Sequence, residues 1–586
     1  MSRSTQKSRR EKVDLCFITS DPSSTEGKTN NLHVVRSHAG KWRWSEARKK
    51  KTHVNQEKSD LRDEVAVGLQ SRDIQSSFEK LDASDSSSTF KSSSSSKAST
   101  PDNALDHLFN TLEEGVSGED SECLGAFPLD TLEQMRFIFS TQIQESKSSG
   151  YCNAGAMNVH GITPNILDPF QQYPHTSPLP SQLVSNANKY SLSMLWPGLL
   201  PASLNGTNHP GVTAWLINSA THDALHSTLL FGSYSHRRTL WLVKQRGHFN
   251  DEDAKRLAIC EADAIMKVNQ AIQNISGAAT DCIILCVLCM ATNNVEGPMW
   301  NDSKTRVFPA PLTSLQWLDV YGRLSPHPVH QTGLVQLVRF RGGLGKIELP
   351  GLAAIISYSS VLGASRSLSR PSFPYISLRT GGFLDLQDVI DPNIDAFEST
   401  HIPSEMQTIF QCHRTYVSEV EMYEDGMQVG TDMLCDHRNI IQWHIMSLLP
   451  STQLGSSHAS TYPLYEACRL ALIIFGVGVA FPLPPQSAPL ATLGRMLKIE
   501  LQAYYEEAKD VPPSARSLYM WILTLGGIAA TGSSEREWFV DRLQLHTVCH
   551  GLSIWDDFET ELKSVLWLGS ACTLPGKLIW DEVMGS

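Results

Sequence analysis

The sequence predicts a mainly α-helical fold, with a bundle-like helical body behind a disordered, serine-rich and basic N-terminal tail. From about residue 190 onward, apolar residues recur at steps of three and four, which is the period of an amphipathic helix. Only 5 of the 47 aromatic residues (13 Trp, 14 Tyr and 20 Phe) lie in the first 100 positions, so the core must lie further along the chain. Strand-like segments are few, and the best are Arg238–Lys244 and Val307–Leu312.

Residues 1–58 form the first predicted region, a basic N-terminal arm. The first 51 residues hold 13 Lys and Arg against 5 Asp and Glu, a net charge of +8, and because the whole chain has −12, the other 535 residues carry −20. The basic residues gather in two clusters, which are Lys7, Arg9, Arg10 and Lys12 at the start and Arg48, Lys49, Lys50 and Lys51 at the end. Such clusters serve recognition by a nuclear import receptor or contact with nucleic-acid phosphates. A solvated run of charge is the plainer alternative.

Three further regions follow the arm. Residues 59–125 form the predicted linker, and positions 84–100 within it contain ten serines. Such a segment cannot bury enough apolar surface to offset its conformational entropy, so we expect disorder there. Residues 126–189 form a poorly defined connecting segment with weak periodicity, and residues 190–586 form the α-helical body.

The middle of the body shows helical periodicity in four segments. Asp253–Ser276 has one apolar stripe, and Asp281–Thr292 is apolar on all sides, as expected for a central helix. Gln331–Arg339 and Gly351–Val361 predict two more helices. The sequence Arg341–Gly343 between them predicts a tight turn, because glycine adopts positive φ at little cost.

The C-terminal third continues the helical pattern. Tyr465–Ala480 predicts a buried helix that ends before two prolines, Leu490–Glu507 an amphipathic helix, and Ser514–Ala530 an apolar one. Ser534–Glu537 has the Ser-x-x-Glu spacing of a capping box and predicts the start of another helix. Ser553–Asp556 predicts the last helix start in a similar way.

The cysteines and the apolar runs exclude two classes of protein. The twelve cysteines are scattered without zinc-ribbon spacing, and no apolar leader follows Met1, which indicates a protein that is not secreted. The longest apolar runs are Ile283–Ala291 and Leu470–Pro482. Both are shorter than the ~20 residues needed to span a bilayer, so we predict no membrane partner.

Three short motifs have features of metal or phosphate sites. His222 and His226 have the spacing of a helical zinc site, but the Glu of a metalloprotease and a third ligand are missing. His546–His550 offers two His and one Cys within about one turn. Gly342–Lys346 lacks the Ser or Thr that a phosphate-binding loop places after its lysine. The sequence therefore predicts no metal and no cofactor.

A cluster of carboxylates supports an alternative function. Asp556, Asp557 and Glu561 resemble the magnesium-binding carboxylates of all-α terpene cyclases, which hold a substrate diphosphate through Mg²⁺ ions. The sequence shows no partner motif on a second helix, and acidic residues are common in the first turn of a helix because of its dipole. An all-α, Mg-dependent enzyme acting on a diphosphate is therefore the alternative to the function predicted below.

Five segments resemble, in order, a family of fungal transcription-factor-like proteins whose helical body is the fungal-specific transcription factor domain. The segments are Phe17–Ala39, with Asp21-Pro22 and Arg36-Ser37-His38; Leu257–Val295; His330–Ala353, with Arg341-Gly342-Gly343; Tyr465–Ala471; and Gly526–Phe539, with Trp538. The resemblance implies a helical regulatory protein of the nucleus. It also implies that His330, Gly342 and Gly343 are turn and packing elements.

One feature of the wider class is missing from this sequence. Its full-length members bind DNA through a zinc cluster made by six cysteines, and here Cys16 is the only cysteine before Cys123. Because zinc cannot be held there without thiolates, we expect DNA to be contacted only weakly or indirectly. The sequence thus predicts a nuclear transcriptional regulator or co-regulator that is not an enzyme. It would act through other regulatory proteins or a second copy of itself, and a scaffold without a nuclear role is the second alternative.

Overall fold

Helices make up the regular structure of the described part of the chain. The computed structural model describes residues 177–244, 247–273, 280–293, 305–454, 462–507 and 511–585. The predicted arm and linker lie outside these residues. Within the described ranges there is no β-strand, which confirms the prediction of a mainly α fold. Both strand candidates are wrong, because Arg238–Lys244 ends a long helix and residues 307–312 are irregular.

The first group of helices extends from residue 181 to residue 367. Their bounds are α1 Ser181–Tyr190, α2 Trp196–Leu199, α3 Pro210–Ser219, α4 Asp223–Lys244, α5 Asp251–Gln273, α6 Asp281–Thr292, α7 Leu318–Tyr321, α8 Pro328–Arg341 and α9 Leu352–Ser367. A π-helical stretch, Ser191–Leu195, joins α1 to α2.

The second group extends from residue 404 to residue 585. Its bounds are α10 Ser404–Glu424, α11 Thr431–Ser447, α12 Tyr465–Phe475, α13 Leu490–Glu507, α14 Arg516–Ala529, α15 Glu535–Cys549, α16 Trp555–Val565 and α17 Gly569–Gly585. A π-helical stretch, Gly476–Ala480, continues α12. No helix in the described ranges combines the length and apolar character needed to cross a membrane.

Most predicted helices lie within a few residues of their predicted bounds. Helices α6 and α13 coincide with them. Helix α5 begins two residues early, at Asp251, where three consecutive acidic side chains face the positive end of the helix dipole. The predicted capping box at Ser534 does not form. Ser534 has helical backbone angles (φ −65°, ψ −17°) and makes no side-chain cap hydrogen bond, although α15 does begin at the next residue.

The pair α4 and α5 is joined by a buried ammonium group. The Lys267 side chain is 8% exposed, and its Nζ lies 3.0 Å from Asp223 Oδ1 and 3.1 Å from Asp263 Oδ2. It also donates a hydrogen bond of 2.9 Å to Ser227 Oγ. Because a buried charge is costly unless it is paired and hydrogen-bonded, these contacts fix how the two helices pack.

Helix α11 carries polar side chains into the interior. Arg438 is fully buried and donates to Leu315 O at 3.1 Å and to Gln316 Oε1 at 2.8 Å. Asn439 Nδ2 donates to the same Gln316 oxygen at 2.8 Å. Gln316 has a left-handed backbone (φ 54°), which is strained for a residue with a side chain. The network therefore holds an unfavourable backbone conformation in place.

Helix α14 forms the centre of the C-terminal part of the body. Its residues from Leu518 to Ala529 are all buried, and it packs against α12, α13, α15, α16 and α17. Its glycine pair, Gly526-Gly527, allows close approach of neighbouring side chains. A Cβ atom at Gly526 would lie 2.3 Å from Phe539 Cε1 and 2.9 Å from Leu497 Cδ2.

Gly526→Ala is expected to lower the free energy of unfolding, because the added methyl group overlaps a buried aromatic ring. Overpacking of this kind costs about 1–3 kcal/mol. Gly363→Ala on α9 is the matched control, since the nearest atom to its Cβ position is Gln331 Nε2 at 3.9 Å. The control should be neutral or stabilising by up to about 1 kcal/mol. Urea unfolding followed by circular dichroism measures both, and equal midpoints would contradict the prediction.

Stability is expected to fall as the pH falls below about 6.5, because His413 must stay neutral in the core. Both ring nitrogens lack a hydrogen-bond partner within the described structure, and burial lowers the pKa of His413 from 6.5 to about 3. Each such histidine lowers the free energy of unfolding by up to about 1.4 kcal/mol for each pH unit below 6.5. His413→Leu should flatten the dependence of unfolding free energy on pH between about 6.5 and 4.5. His248→Leu, at an exposed position, is the control and should leave this dependence unchanged. If unfolding free energy fell with pH equally steeply in both variants, this account would be contradicted.

Candidate functional site

A surface pocket of about 400 Å³ lies beside the glycine turn that follows α8. We call it the Gly342 pocket. One wall is the end of α8 and the turn, at Val338, Arg339 and residues 342–346. The other wall is the loop 372–374 together with Phe383. Its volume falls in the range of ligand-binding pockets, about 300–1,000 Å³.

The turn has the backbone geometry that only glycine adopts readily. Gly342 has φ 96° and Gly343 has φ 94° with ψ 172°. The Gly342 N–H donates to Arg339 O at 3.0 Å and the Gly343 N–H to Val338 O at 2.9 Å, which is the Schellman pattern of a helix end. Open space surrounds the Cβ position of Gly343, so the backbone angles alone require glycine there.

A carboxylate that is only slightly exposed fixes the turn to the body. Asp281, in the first turn of α6, accepts hydrogen bonds from Arg341 Nε at 2.8 Å, from Glu348 N at 2.7 Å and from Leu349 N at 2.9 Å. The side chain of Asp281 is 13% exposed. Because it binds both a guanidinium and two backbone amides, it sets the path of the chain on both sides of the pocket wall.

A second carboxylate, which is buried, fixes the opposite wall. Asp436 on α11 is 1% exposed and accepts four hydrogen bonds from the loop that follows residue 374. The donors are Tyr375 OH (2.7 Å), Ser377 Oγ (2.7 Å), Leu378 N (2.6 Å) and Arg379 N (3.1 Å). Burial raises the pKa of Tyr375 well above 10, so its hydroxyl keeps its proton and donates.

The charge at the pocket is positive and uncompensated. Arg339 and Lys346 are exposed, and neither forms an ion pair with any described residue. Arg341 differs, because it pairs with Asp281 at 2.8 Å and lies 3.8 Å from Glu348. No carboxylate lines the pocket.

The apolar part of the pocket includes an aromatic ring open to solvent. Phe383 is 71% exposed, one of the most exposed large hydrophobic side chains in the described structure. Phe373 on the same wall is half-buried, and its carbonyl accepts a hydrogen bond of 2.8 Å from Trp443 Nε1. An exposed phenylalanine beside two free cations is chemically suited to bind a ligand that is both apolar and anionic.

The family-like residues occupy different places in the structure. Gly342 and Gly343 line the pocket, and Arg341 lies in the same turn. His330 lies in the first turn of α8, with its ring 4.4 Å from that of His327, and burial lowers its pKa to about 4. Trp538 lies on α15 against Phe539. Arg36, Ser37, His38 and the eight basic arm residues lie outside the described residues.

The histidine motifs do not assemble a metal site. His222 precedes α4 and is exposed, whereas His226 is buried, so the two rings lie in different surroundings. The rings of His546 and His550 stack at 6.0 Å, and Cys549 is exposed. Among the described residues no group of three or more His, Cys, Asp or Glu side chains is placed to hold a metal ion.

The carboxylates proposed to hold magnesium point to different surroundings. Asp556 and Asp557 are exposed in the first turn of α16. Glu561 accepts a hydrogen bond of 2.5 Å from Ser517 Oγ and lies 3.4 Å from Arg516 Nη2. These contacts join α16 to α14 and give Glu561 a packing role.

The sequence offered only part of the signal for this site. Glycine pairs after a helix predict a turn, and the turn is present. The residues missed were Arg339 and Phe383, together with the buried Asp436 that supports the loop. Lys346 was considered, but only as part of a phosphate-binding loop. Because Lys346 and Phe383 are 37 positions apart, nothing in the local pattern indicates that they share a pocket.

Comparison of this chain with protein-family models, curated proteins and solved structures gave no match. The resemblance to the fungal transcription-factor-like family therefore stays a prediction from the sequence.

Asp436→Asn is expected to loosen the loop wall of the pocket. The amide NH₂ group would face two of the four donors, so the variant should lose about 2–4 kcal/mol of stability. Hydrogen exchange should speed up at the amides of Leu378 and Arg379. Asp556→Asn, at an exposed position, is the control and should change neither property. Unchanged exchange at these two amides would show that Asp436 does not hold the loop.

Proposed function

We propose that this chain is a fungal transcriptional regulator or co-regulator, acting in the nucleus through protein contacts of its helical body. Two sequence features support the proposal. The five family-like segments occur in order from Phe17 to Phe539, and the basic arm contrasts with an acidic remainder of −20. The family-like protein would act without a zinc cluster of its own.

The observation that carries the proposal is the Gly342 pocket. One of its walls includes Gly342 and Gly343, which belong to the third family-like segment. The lining side chains include Ser372 and Lys346 but no His, Cys, Asp or Glu. A pocket with fixed walls, an exposed ring and two free cations is suited to recognition of another molecule.

The arm supplies the nuclear part of the proposal. Its two basic clusters would bind a nuclear import receptor, and they would make non-specific contacts with phosphates. Sequence-specific reading of DNA would then belong to a partner, because contacts with phosphates carry no sequence information.

A fluorescent fusion of the full chain is expected to accumulate in fungal nuclei. Changing the eight arm residues to Gln should move it to the cytoplasm, because the import receptor binds clustered positive charge. The eight residues are Lys7, Arg9, Arg10, Lys12, Arg48, Lys49, Lys50 and Lys51. Lys498→Gln with Lys577→Gln, on α13 and α17, is the control and should leave the fusion nuclear. Fusion to a heterologous DNA-binding domain should change the output of a reporter gene.

Two outcomes would contradict the proposal. A fusion that stays cytoplasmic even when nuclear export is blocked would remove the nuclear role. A fusion whose location does not respond to deletion of residues 1–58, with an unchanged reporter, would favour a scaffold instead.

A further inference from the structure

We propose that the Gly342 pocket binds an acidic peptide segment of a partner protein, with an aromatic or leucine side chain set between carboxylates. The inference deepens the proposed function and rests on it in one respect, that the body acts through contacts with another protein. The occupant is inferred from charge, apolar surface and rigidity, which point to the same ligand.

Charge complementarity selects an acidic ligand. Of the three cations in the segment 339–346, Arg341 alone forms an ion pair with another residue of the described ranges, and the other two, Arg339 and Lys346, line the pocket. The body is otherwise acidic, so an uncompensated positive patch is a local exception. A carboxylate placed between these cations gains attraction without displacing an existing ion pair.

Apolar surface selects a side chain of aromatic or leucine type. The Phe383 ring is 71% exposed, and the half-buried Phe373 lies on the same wall of the pocket. Covering this ring removes apolar area from water, which is the general driving force for association. Aromatic anchors in pockets flanked by charge are typical of the centres of protein interfaces.

Rigid walls lower the cost of binding. Asp281 accepts from the Arg341 side chain in the turn and from the amides of Glu348 and Leu349 that follow the wall. Asp436 accepts from the amides of Leu378 and Arg379 in the loop. Ser360 Oγ accepts a further hydrogen bond of 2.8 Å from Ser372 N at the edge of the pocket. Because both walls are already ordered, a ligand pays little to fix them.

The exposed rim favours a peptide over a small molecule. Small-molecule sites usually bury 70–90% of the surface of their ligand, which requires a cleft or an enclosed cavity. Here Arg339, Lys346 and Phe383 are all exposed, so a bound group stays partly in contact with solvent. An extended peptide can enter and leave such a pocket while its charged residues contact the rim.

Fluorescence anisotropy of the full-length protein with a labelled peptide, three repeats of Asp-Phe-Asp-Leu, tests the proposal. We expect saturable binding that weakens as NaCl rises from about 50 to about 300 mM. Lys346→Glu and Arg339→Glu should each weaken binding about tenfold, and Phe383→Ala about fivefold. Lys577→Glu, an exposed lysine on α17, is the matched control and should bind like the wild type. The arm variant with eight Gln residues should also retain binding.

Several results would overturn the assignment. These are equal binding of a peptide with Asn in place of Asp, wild-type affinity of the Arg339→Glu/Lys346→Glu double variant, or loss of binding in the arm variant alone. Displacement by an equal concentration of N-acetyl-aspartyl-phenylalanine would identify a small-molecule site instead. The titration uses purified protein, so a negative titration does not bear on nuclear location or reporter activity. Equally, a negative localisation or reporter experiment does not bear on peptide binding.

Discussion

The buried guanidinium of Arg438 is the interaction on which the helical body depends. Its hydrogen-bond partners, Leu315 O and the side chains of Gln316 and Asn439, are all neutral. The group also lies over the rings of Phe481, at 5.1 Å, and Tyr358, at 5.9 Å. A buried cation is costly unless it is well hydrogen-bonded, so these neutral contacts stabilise it together. The strained left-handed turn at Gln316 is the geometry that lets them form.

This network connects parts of the chain that are far apart in sequence. Gln316 Nε2 donates to Leu199 O at 3.3 Å, and Trp317 Nε1 donates to Leu195 O at 3.0 Å, so the turn also holds the first helices. On α11, Asp436 lies two residues before Arg438, and residues at that spacing point to different sides of a helix. One side therefore organises the interior while the other holds the pocket loop. A substitution on either side should therefore alter the pocket, because it changes the position of α11.

The sequence predicts a helix well where local apolar periodicity determines it. It does not predict one that depends on polar contacts between distant parts of the chain. The segments that form α6 and α13 have uninterrupted apolar patterns, and the observed bounds of both helices match the predicted ones. Helix α11 was missed, because Asp436–Asn439 looks like a solvated polar run that interrupts the apolar pattern. Its partners lie about 60 residues away for Asp436 and about 120 for Arg438. Such partners become visible only once the chain has folded.

The same distinction applies to the charge. Net charge indicated an acidic body with a basic arm, and it suggested that anionic partners belong to the arm alone. At physiological salt, however, exposed charges separated by more than about 8 Å are largely screened, so the distributed −20 does not cancel a local patch. What matters is whether neighbouring cations are paired, and among the residues that the structure describes Arg341 has a partner while Arg339 and Lys346 have none. The basic clusters of the arm sequence also attract an acidic ligand. Only the Gly342 pocket also offers a fixed apolar ring, so dependence on the apolar side chain separates binding there from attraction to the arm.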